Sequence, residues 1–333
     1  MYEQDNNMIY RIVDFIENIF SKVNLSNMRN VVRDTNHRGF GSSVFDYGFM
    51  LNLKTKEYPK YLKEAYFVQM GRKLNLKCPK TFSEKIQWLK LYDNSLIKTN
   101  LTDKVLVRDW IREKIGEDYL KPIFQICNSF DEIDFDSLPD KFMVKCNHGC
   151  KWQYTVKNKE EYLKHDFLIN YSKKMIDGWM NQTFYGWSDF ELQYKDIQPK
   201  ILVEKLLCDA IDKPSKEFEI LCFNSLPKYF TVVDNNSGNR NVYDENYNLV
   251  DLKFSLSTND KSIEVDSLLK EAVLLSQKLA ENFKLVRVDW MVYENKLYFN
   301  EMTFTPHSGF IHFPNGYENW DKKLGKMLNL KGN

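Results

Sequence analysis

The segment VRVDWMVYENKLYFNEMTFTP, from Val286 to Pro306, constrains the fold more than any other stretch of the chain. Val286, Val288, Trp290 and Val292 recur at every second position, the signature of a strand with one buried face. A polar break, ENK, and a second apolar run predict a hairpin of Leu285–Tyr293, a three-residue turn, and Leu297–Thr303. In that register Asp289 lies opposite Glu301 and Arg287 opposite Thr303, on the face away from the valines. Two carboxylates paired across strands repel, and a purely structural hairpin would avoid them. Two arrangements resolve the conflict. Arg287 can tie the acids into an ion cluster on the sheet surface, or a dication can sit between them. Magnesium fits the second, because it takes a few carboxylate oxygens together with phosphate oxygens and waters. Arg287 would then offer a planar fork to a phosphoryl group.

The remaining features narrow the class. At 333 residues the chain can form two domains, or one large domain with a lobe. Lys and Arg number 47 against 46 Asp and Glu, so no global field draws nucleic acid or an anionic membrane. Six cysteines, Cys78, Cys127, Cys146, Cys150, Cys208 and Cys222, show no framework spacing. They read as free thiols of a reducing compartment, and with no apolar run long enough for a membrane span the expectation is a soluble cytoplasmic protein. The run KCNHGC invites a zinc reading through Cys146, His148 and Cys150. A structural site needs four ligands, and no second Cys/His pair lies nearby, so buried thiols flanking a loop histidine are preferred.

Along the chain, Ile9, Ile12, Val13, Ile16, Ile19, Phe20 and Val23 carry helical spacing. A docked amphipathic helix is expected there, its polar face being too weakly basic for a membrane surface. The connector Thr35–Phe49 has glycines but no Gly-Lys-Ser/Thr, so it is no phosphate loop. Helical pattern runs from about Pro59 to Leu120. It includes a capping box, Thr81 with Glu84, and a second helix capped near Thr102 and ended by Gly116. Strands are expected at YLKPIFQIC and Phe142–Cys146, then a helix over Lys159–Asn181. Strands at KILVEKLL, EFEILCFN and LPKYFTVVD follow, with a polar loop at Asn235–Asn241 and a helix at Val265–Asn282. Without regular strand–helix alternation the class is α+β.

Several segments together resemble the ATP-grasp superfamily of carboxylate–amine ligases. The hairpin is similar to its R-x-D…E-x-N-x-x-P pattern through Arg287, Asp289, Glu301, Thr303 and Pro306, with Thr303 where asparagine is usual. The resemblance implies magnesium on Asp289 and Glu301, with Thr303 a weaker ligand, and Arg287 on the phosphoryl group. VEKLL resembles the adenine hinge: backbone at Lys205–Leu206 would read the base, Leu207 would pack on it, and Glu204 is the hinge acid. Glu217 or Glu219 would meet the ribose. Lys104, in TDK, and Lys145, in FMVKCNHG, would reach the nucleotide phosphates. More narrowly, CPKTFSEKIQWLKLYD, TDKVLVRDWIREKIGEDYLKPI, FDEIDFDSLPDKFMVKCNHG, CFNSLPKYF, VRVDW and EMTFTPHSGF resemble the TupA-like ATP-grasp family of surface-polysaccharide enzymes. The sequence departs from that family after NHG, where Cys150, Lys151 and Trp152 replace small residues. His148 and Lys151 join the candidate phosphate contacts there.

The resemblance implies an ATP-grasp fold with the nucleotide between two α+β lobes and an extra N-terminal helical segment. The expected division is 1–60 for that segment, 61–140 for a helical and αβ lobe, and 141–333 for the nucleotide-binding and catalytic region. It implies ATP and Mg2+ as cofactors and amide formation through an acylphosphate. The expected substrates are a uronic-acid carboxylate of a capsular or other surface polysaccharide, or its precursor, and an amino acid or amino alcohol. His307 and Ser308, after Pro306, are catalytic candidates for orienting the carboxylate or taking the amine's proton. Two other functions compete. A glycosyltransferase would use a D-x-D strand terminus, which Asp134–Asp136 matches in a loop, and a non-catalytic nucleotide-binding protein would bind without turnover.

Overall fold

The computed structural model describes residues 44–45, 47–188, 190–207, 216–253 and 263–331. The helix expected over Ile9–Val23, most of the Thr35–Phe49 connector and Cys208 lie outside the described residues. The chain is α+β, with two antiparallel sheets and helices packed on them.

A four-stranded sheet has the order β1-β4-β2-β3: β1 Ile123–Cys127, β2 Phe142–Cys146, β3 Gln153–Val156 and β4 Ile201–Lys205. The expected boundary at residue 140 falls within this sheet, because β1 precedes it. A six-stranded sheet has the order β10-β9-β5-β6-β7-β8, from β5 Lys216–Phe223, β6 Leu226–Asp234, β7 Asn239–Asp244, β8 Leu249–Val250, β9 Leu285–Tyr293 and β10 Lys296–Thr303. The polar run at Asn235–Asn241, expected as a loop, turns directly into β7. Its hydrogen-bonding partner β6 decides this, since β7 pairs along Tyr229–Asp234.

The hairpin shows how register is set. Its turn is two residues, Glu294 and Asn295, both with positive φ, and Lys296 pairs with Tyr293. A two-residue turn of this hand matches the twist of the strands. It shifts the pairing by one residue from the three-residue turn expected, and would set Asp289 against Asn300. A bulge between Phe299 and Glu301 restores the register, so Glu301 pairs with Asp289 and Thr303 with Arg287. The expected pairs therefore form, by a different route.

One face of the large sheet is apolar. Phe218, Ile220, Phe230, Val232, Val286, Val288 and Trp290 pack beneath α8, Ser267–Leu279, and against Val107 and Ile111 of α5, Val107–Ile115. The Trp290 indole is satisfied by Ser276 Oγ at 2.8 Å, and truncating such a side chain costs about 3–5 kcal/mol. The other face carries Glu217, Glu219, Arg287, Asp289, Met291 and Glu301. The small sheet packs Phe142, Val144, Ile201 and Val203 on Ile176 of α7, Asp166–Met180. The single helix expected over Lys159–Asn181 is two, α6 Lys159–Leu163 and α7, broken at His165, whose backbone is extended.

The N-terminal helices are α1 Tyr47–Asn52, α2 Tyr58–Met70, α3 Phe82–Tyr92 and α4 Leu96–Thr102. The α3 capping box forms as expected, with Thr81 and Glu84 bonding reciprocally. The next helix is not capped at Thr102, which ends α4. Asp103 Oδ1 instead accepts the Val105 and Leu106 amides at 2.7 and 3.4 Å and turns the chain into α5. The C-terminal helix α9, Asn319–Met327, clamps the start of α3. Buried Asp321 accepts the Ser83 amide and hydroxyl at 2.8 and 2.9 Å, and Lys85 Nζ donates to the Gly325 and Leu328 carbonyls. Among the described residues no helix is long and apolar enough to cross a membrane.

Two glycines make opposed predictions. A Cβ at Gly325 would lie 2.3 Å from the Lys80 carbonyl, backbone that cannot swing away. Gly325→Ala should cost about 1–3 kcal/mol in denaturant unfolding. Gly178 in α7 has nothing within 4 Å of such a Cβ, so Gly178→Ala should stabilise by about 0.5–1 kcal/mol.

Candidate active site

The charged face of the large sheet begins the site. Arg287 grips Asp289 through two bonds, Nε to Oδ1 at 2.7 Å and Nη2 to Oδ2 at 2.5 Å. The same guanidinium lies 3.8 Å from Glu301 Oε1, and Thr303 Oγ1 is 3.4 Å from both Arg287 Nη2 and Glu301 Oε1. Next along the sheet, Glu219 pairs with Asp289 in register and is bound by Arg240 Nη2 at 2.6 Å. Three carboxylates, Asp289, Glu301 and Glu219, thus share two arginines. Burial opposes ionisation of Glu219, but Arg287 and Arg240 outweigh it and hold its carboxyl below the usual range. At Asp289 burial wins. Arg287 pulls down, Glu301 and Glu219 push up, and the carboxyl is raised. This cluster has one negative charge too many for its surroundings, which suits a cation. Among the described residues no three His, Cys, Asp or Glu side chains gather to hold a metal by themselves.

The small sheet supplies the opposite imbalance. Lys145, in β2, donates to Glu204 Oε1, in β4, at 2.6 Å. Lys121, just before β1, reaches the same oxygen at 3.3 Å. All three side chains are buried. Burial drives the Lys145 ammonium down to about 7, with Glu204 opposing and Lys121 and Lys104 adding to the effect. Burial of Glu204 is outweighed by Lys121 and Lys145, and its carboxyl falls to about 2. Lys121 also meets Asn300 Oδ1 at 3.1 Å and Met291 Sδ at 3.9 Å, and so joins the two sheets. The sequence reading gives Lys121, Asn300 and Arg240 no role, since each acquires its partners only when strands distant in sequence are brought together.

The loop between β2 and β3 sits at this junction. Asn147 is fully buried and bonded to Asp103, Gln198 and Lys200. Its backbone amide donates to the Lys200 carbonyl at 3.0 Å, so a phosphate at this loop would meet the amides of His148 and Gly149 rather than that of Asn147. Lys104 Nζ donates to the Gly149 carbonyl at 2.6 Å. The His148 side chain is corrected as a phosphate contact. It is buried, with Nδ1 on Asn147 and Nε2 on the Trp179 and Gln182 carbonyls at 3.1 Å, so it ties the loop to α7. Cys146 is buried in β2, its thiol pushed up to about 12 by that burial. Lys151 is exposed, with positive φ.

The segment expected as the hinge is the end of β4 and the two residues after it. Leu207 is buried, but the Lys205 amide donates to the Pro122 carbonyl at 2.9 Å, leaving Leu206 from the pair expected to read a base. Lys205 Nζ lies over the Tyr293 ring. Of the two ribose candidates, Glu219 is drawn into the arginine cluster, while Glu217 accepts from Asn235 at 2.8 Å. Asp134 and Asp136 lie in an exposed turn where the Asp134 carboxylate accepts the Asp136 amide.

After Pro306 the chain makes a left-handed turn, His307, Ser308 and Gly309 all having φ near 50–70°, costly for the two non-glycine residues. The turn is held from α3: Gln87 Nε2 donates to the Ser308 carbonyl at 3.1 Å, and buried Lys90 donates to Ser308 Oγ at 2.8 Å. Ser308 Oγ in turn donates to the Ser188 carbonyl at 2.7 Å. Ser308 is therefore corrected from a catalytic to a structural position. The His307 side chain is exposed, but the protein packed around it and the Arg287 and Arg240 cations disfavour its proton against Glu219, and the imidazole lies below its usual range. It is neutral at pH 7 but a weaker base than expected.

Trp152 packs on the loop. A Cβ at Gly149 would lie 2.3 Å from Trp152 Cε3, and the indole also meets His148 edge-on, with ring centroids 5.1 Å apart. Gly149→Ala should destabilise by about 1–3 kcal/mol, and most of that loss should vanish in a Trp152→Ala background. A thermal-denaturation double-mutant cycle with additive effects would refute the contact.

The sequence model of the family described as TupA-like ATPgrasp matches residues 84–329. No curated protein matches the chain. Among solved structures, D-alanine–D-alanine ligase from Helicobacter pylori aligns at 14% identity and TM-score 0.41, over 74% of this chain and 69% of that one. The L-amino acid ligase from Bacillus licheniformis aligns at 10% identity and TM-score 0.43, over 76% of this chain and 55% of its own. Likeness this distant bears on neither substrate nor mechanism. The family match covers well over half of the chain and spans both sheets, from α3 to α9: the protein belongs to the TupA-like ATP-grasp family of ATP-dependent ligases.

Proposed function

We propose that the protein is an ADP-forming carboxylate–amine ligase of the cytoplasm that acts on a uronic-acid carboxylate of a capsular or other surface polysaccharide, or its precursor. The amine is an amino acid or amino alcohol. The observation that carries the ligase reading is the split of charge across the junction of the sheets. Lys121 and Lys145 share one acid, Glu204, while Asp289, Glu301 and Glu219 share two arginines. A nucleotide phosphate beside the lysines and a magnesium ion beside the acids would neutralise both halves at once. The carbohydrate substrate rests on the family resemblance.

On this reading Leu207 and the backbone at Leu206 hold the adenine, Glu217 the ribose, and Lys104 and Lys145 the phosphates, with loop amides of His148 and Gly149 and the Lys151 cation beside them. Asp289 and Glu301 hold magnesium, Thr303 adding a neutral oxygen; the ion neutralises phosphate charge and fixes its orientation. A substrate carboxylate oxygen attacks the γ-phosphorus of ATP, ADP leaves, and an acylphosphate forms. The neutral amine then attacks the acyl carbon, the C–O bond to phosphate breaks, and the proton lost from nitrogen leaves with the phosphate. The first step brings two anions together and the second builds charge on the departing phosphate, so cationic positioning by Lys104, Lys145 and Arg287 is the main catalytic contribution. Neutral His307 can orient the carboxylate without repelling the arginines. The loop packed by Trp152 keeps water from the acylphosphate.

Asp289→Asn and Glu301→Gln should each lower ATP-dependent ADP release by about a hundredfold or more with no loss of thermal stability, because each removes a charge from an over-negative cluster. Near-wild-type turnover in either would remove the metal assignment. Lys145, lowered to about 7, has its cationic form disfavoured in the free protein. A phosphate raises that value, so nucleotide binding between about pH 7 and 9 should take up a proton and weaken as pH rises. Calorimetry in buffers of different ionisation enthalpy should show this uptake in the wild type and not in Lys145→Met. A phosphate-release screen of uronates against amines tests the substrates, and release of UDP from a nucleotide sugar instead would favour a glycosyltransferase.

A further inference from the structure

We infer that Lys121 is a positioning residue of the nucleotide site, a fixed counter-charge that keeps Glu204 ionised and lets Lys145 leave that acid for a nucleotide phosphate. This rests on the ligase reading above and adds a residue to which the sequence reading gives no role.

Lys145 and Lys121 approach the same oxygen, Glu204 Oε1, at 2.6 and 3.3 Å. Were Lys145 alone there, its departure toward a phosphate would strand a buried carboxylate without a partner, and the acid would hold it back. Lys121 removes that obstacle because it is anchored from the far side. Its ammonium meets Asn300 Oδ1 at 3.1 Å and Met291 Sδ at 3.9 Å. Its chain neighbour Pro122 accepts the Lys205 amide at 2.9 Å, which ties the segment to the strand that carries Glu204. Lys121 therefore stays with Glu204 whichever way Lys145 points. Its contacts lie on three sides of the junction: the hinge acid, Met291, which pairs in register with Glu217, and Asn300, which precedes Glu301. Asn300 is available to it because the bulge lies at that residue.

The test is calorimetric titration of ADP with magnesium into the wild type, Lys121→Met, Lys121→Arg and the double variant Lys121→Met/Glu204→Gln. Lys121→Met should weaken ADP binding by about tenfold or more, through Lys145 held on an otherwise unpaired acid. Lys121→Arg should bind within about threefold of wild type. The double variant should recover most of the loss, because a neutral amide in place of the Glu204 carboxylate no longer restrains Lys145. Its neutral pair also keeps the site foldable if Lys121→Met alone does not fold. A merely structural lysine would give no such recovery. A double variant that binds no more tightly than Lys121→Met, or a folded Lys121→Met that matches wild type, overturns the inference alone. Failure of the wild type to bind ADP overturns the ligase reading and this inference with it.

Discussion

One inserted residue in the last strand, Asn300, governs which charges meet in this protein. The two-residue turn at Glu294–Asn295 would leave the hairpin one residue out of step, and Asp289 would face an amide. The bulge corrects the step and bends the strand locally. Glu301 then pairs with Asp289 and Thr303 with Arg287, while Asn300 meets Lys121 from the other sheet. Because side chains alternate faces, an error of one residue would have turned Glu301 toward Val288 and the core beneath α8. The chemistry of the site and the packing of Trp290 are thus set by the same backbone irregularity.

The charges so assembled are unbalanced in two directions. On the small sheet a buried carboxylate answers to two lysines, and on the large sheet three carboxylates answer to two arginines. Neither arrangement is what stability alone would select, since buried ions without matched partners are costly. Raised Asp289 and lowered Lys145 express that cost as a preference for neutral forms. Groups perturbed in this way are common where function is built at the expense of the free fold.

The elements around this junction hold it still. Helix α3 is pinned at its start by Asp321 and Lys85 to α9, and along its length it carries Gln87 and Lys90, which grip Ser308. That grip maintains two successive left-handed non-glycine residues and so sets His307 beside Arg287 and Arg240. The α3 segment resembled the family in sequence without an evident task, and its task is mechanical. Its expected capping box is present, but the residues that matter to the site are the two polar side chains on its buried side.

The sequence alone settled what depends on local pattern. Alternating valines marked the hairpin, the charged positions between them marked its second face, and capping chemistry marked α3, because these signals arise between residues close in the chain. The family motifs named further candidate residues on both sheets. The tertiary structure decided the rest. Ser308 and His148 have the right chemistry for catalysis and phosphate binding, yet both are engaged elsewhere, by Lys90 and by the carbonyls after α7. Lys121 and Arg240 carry no local signal and enter the site only through strands distant in sequence. The partners of a polar side chain come from every element packed around it, and no spacing along one strand or helix encodes them.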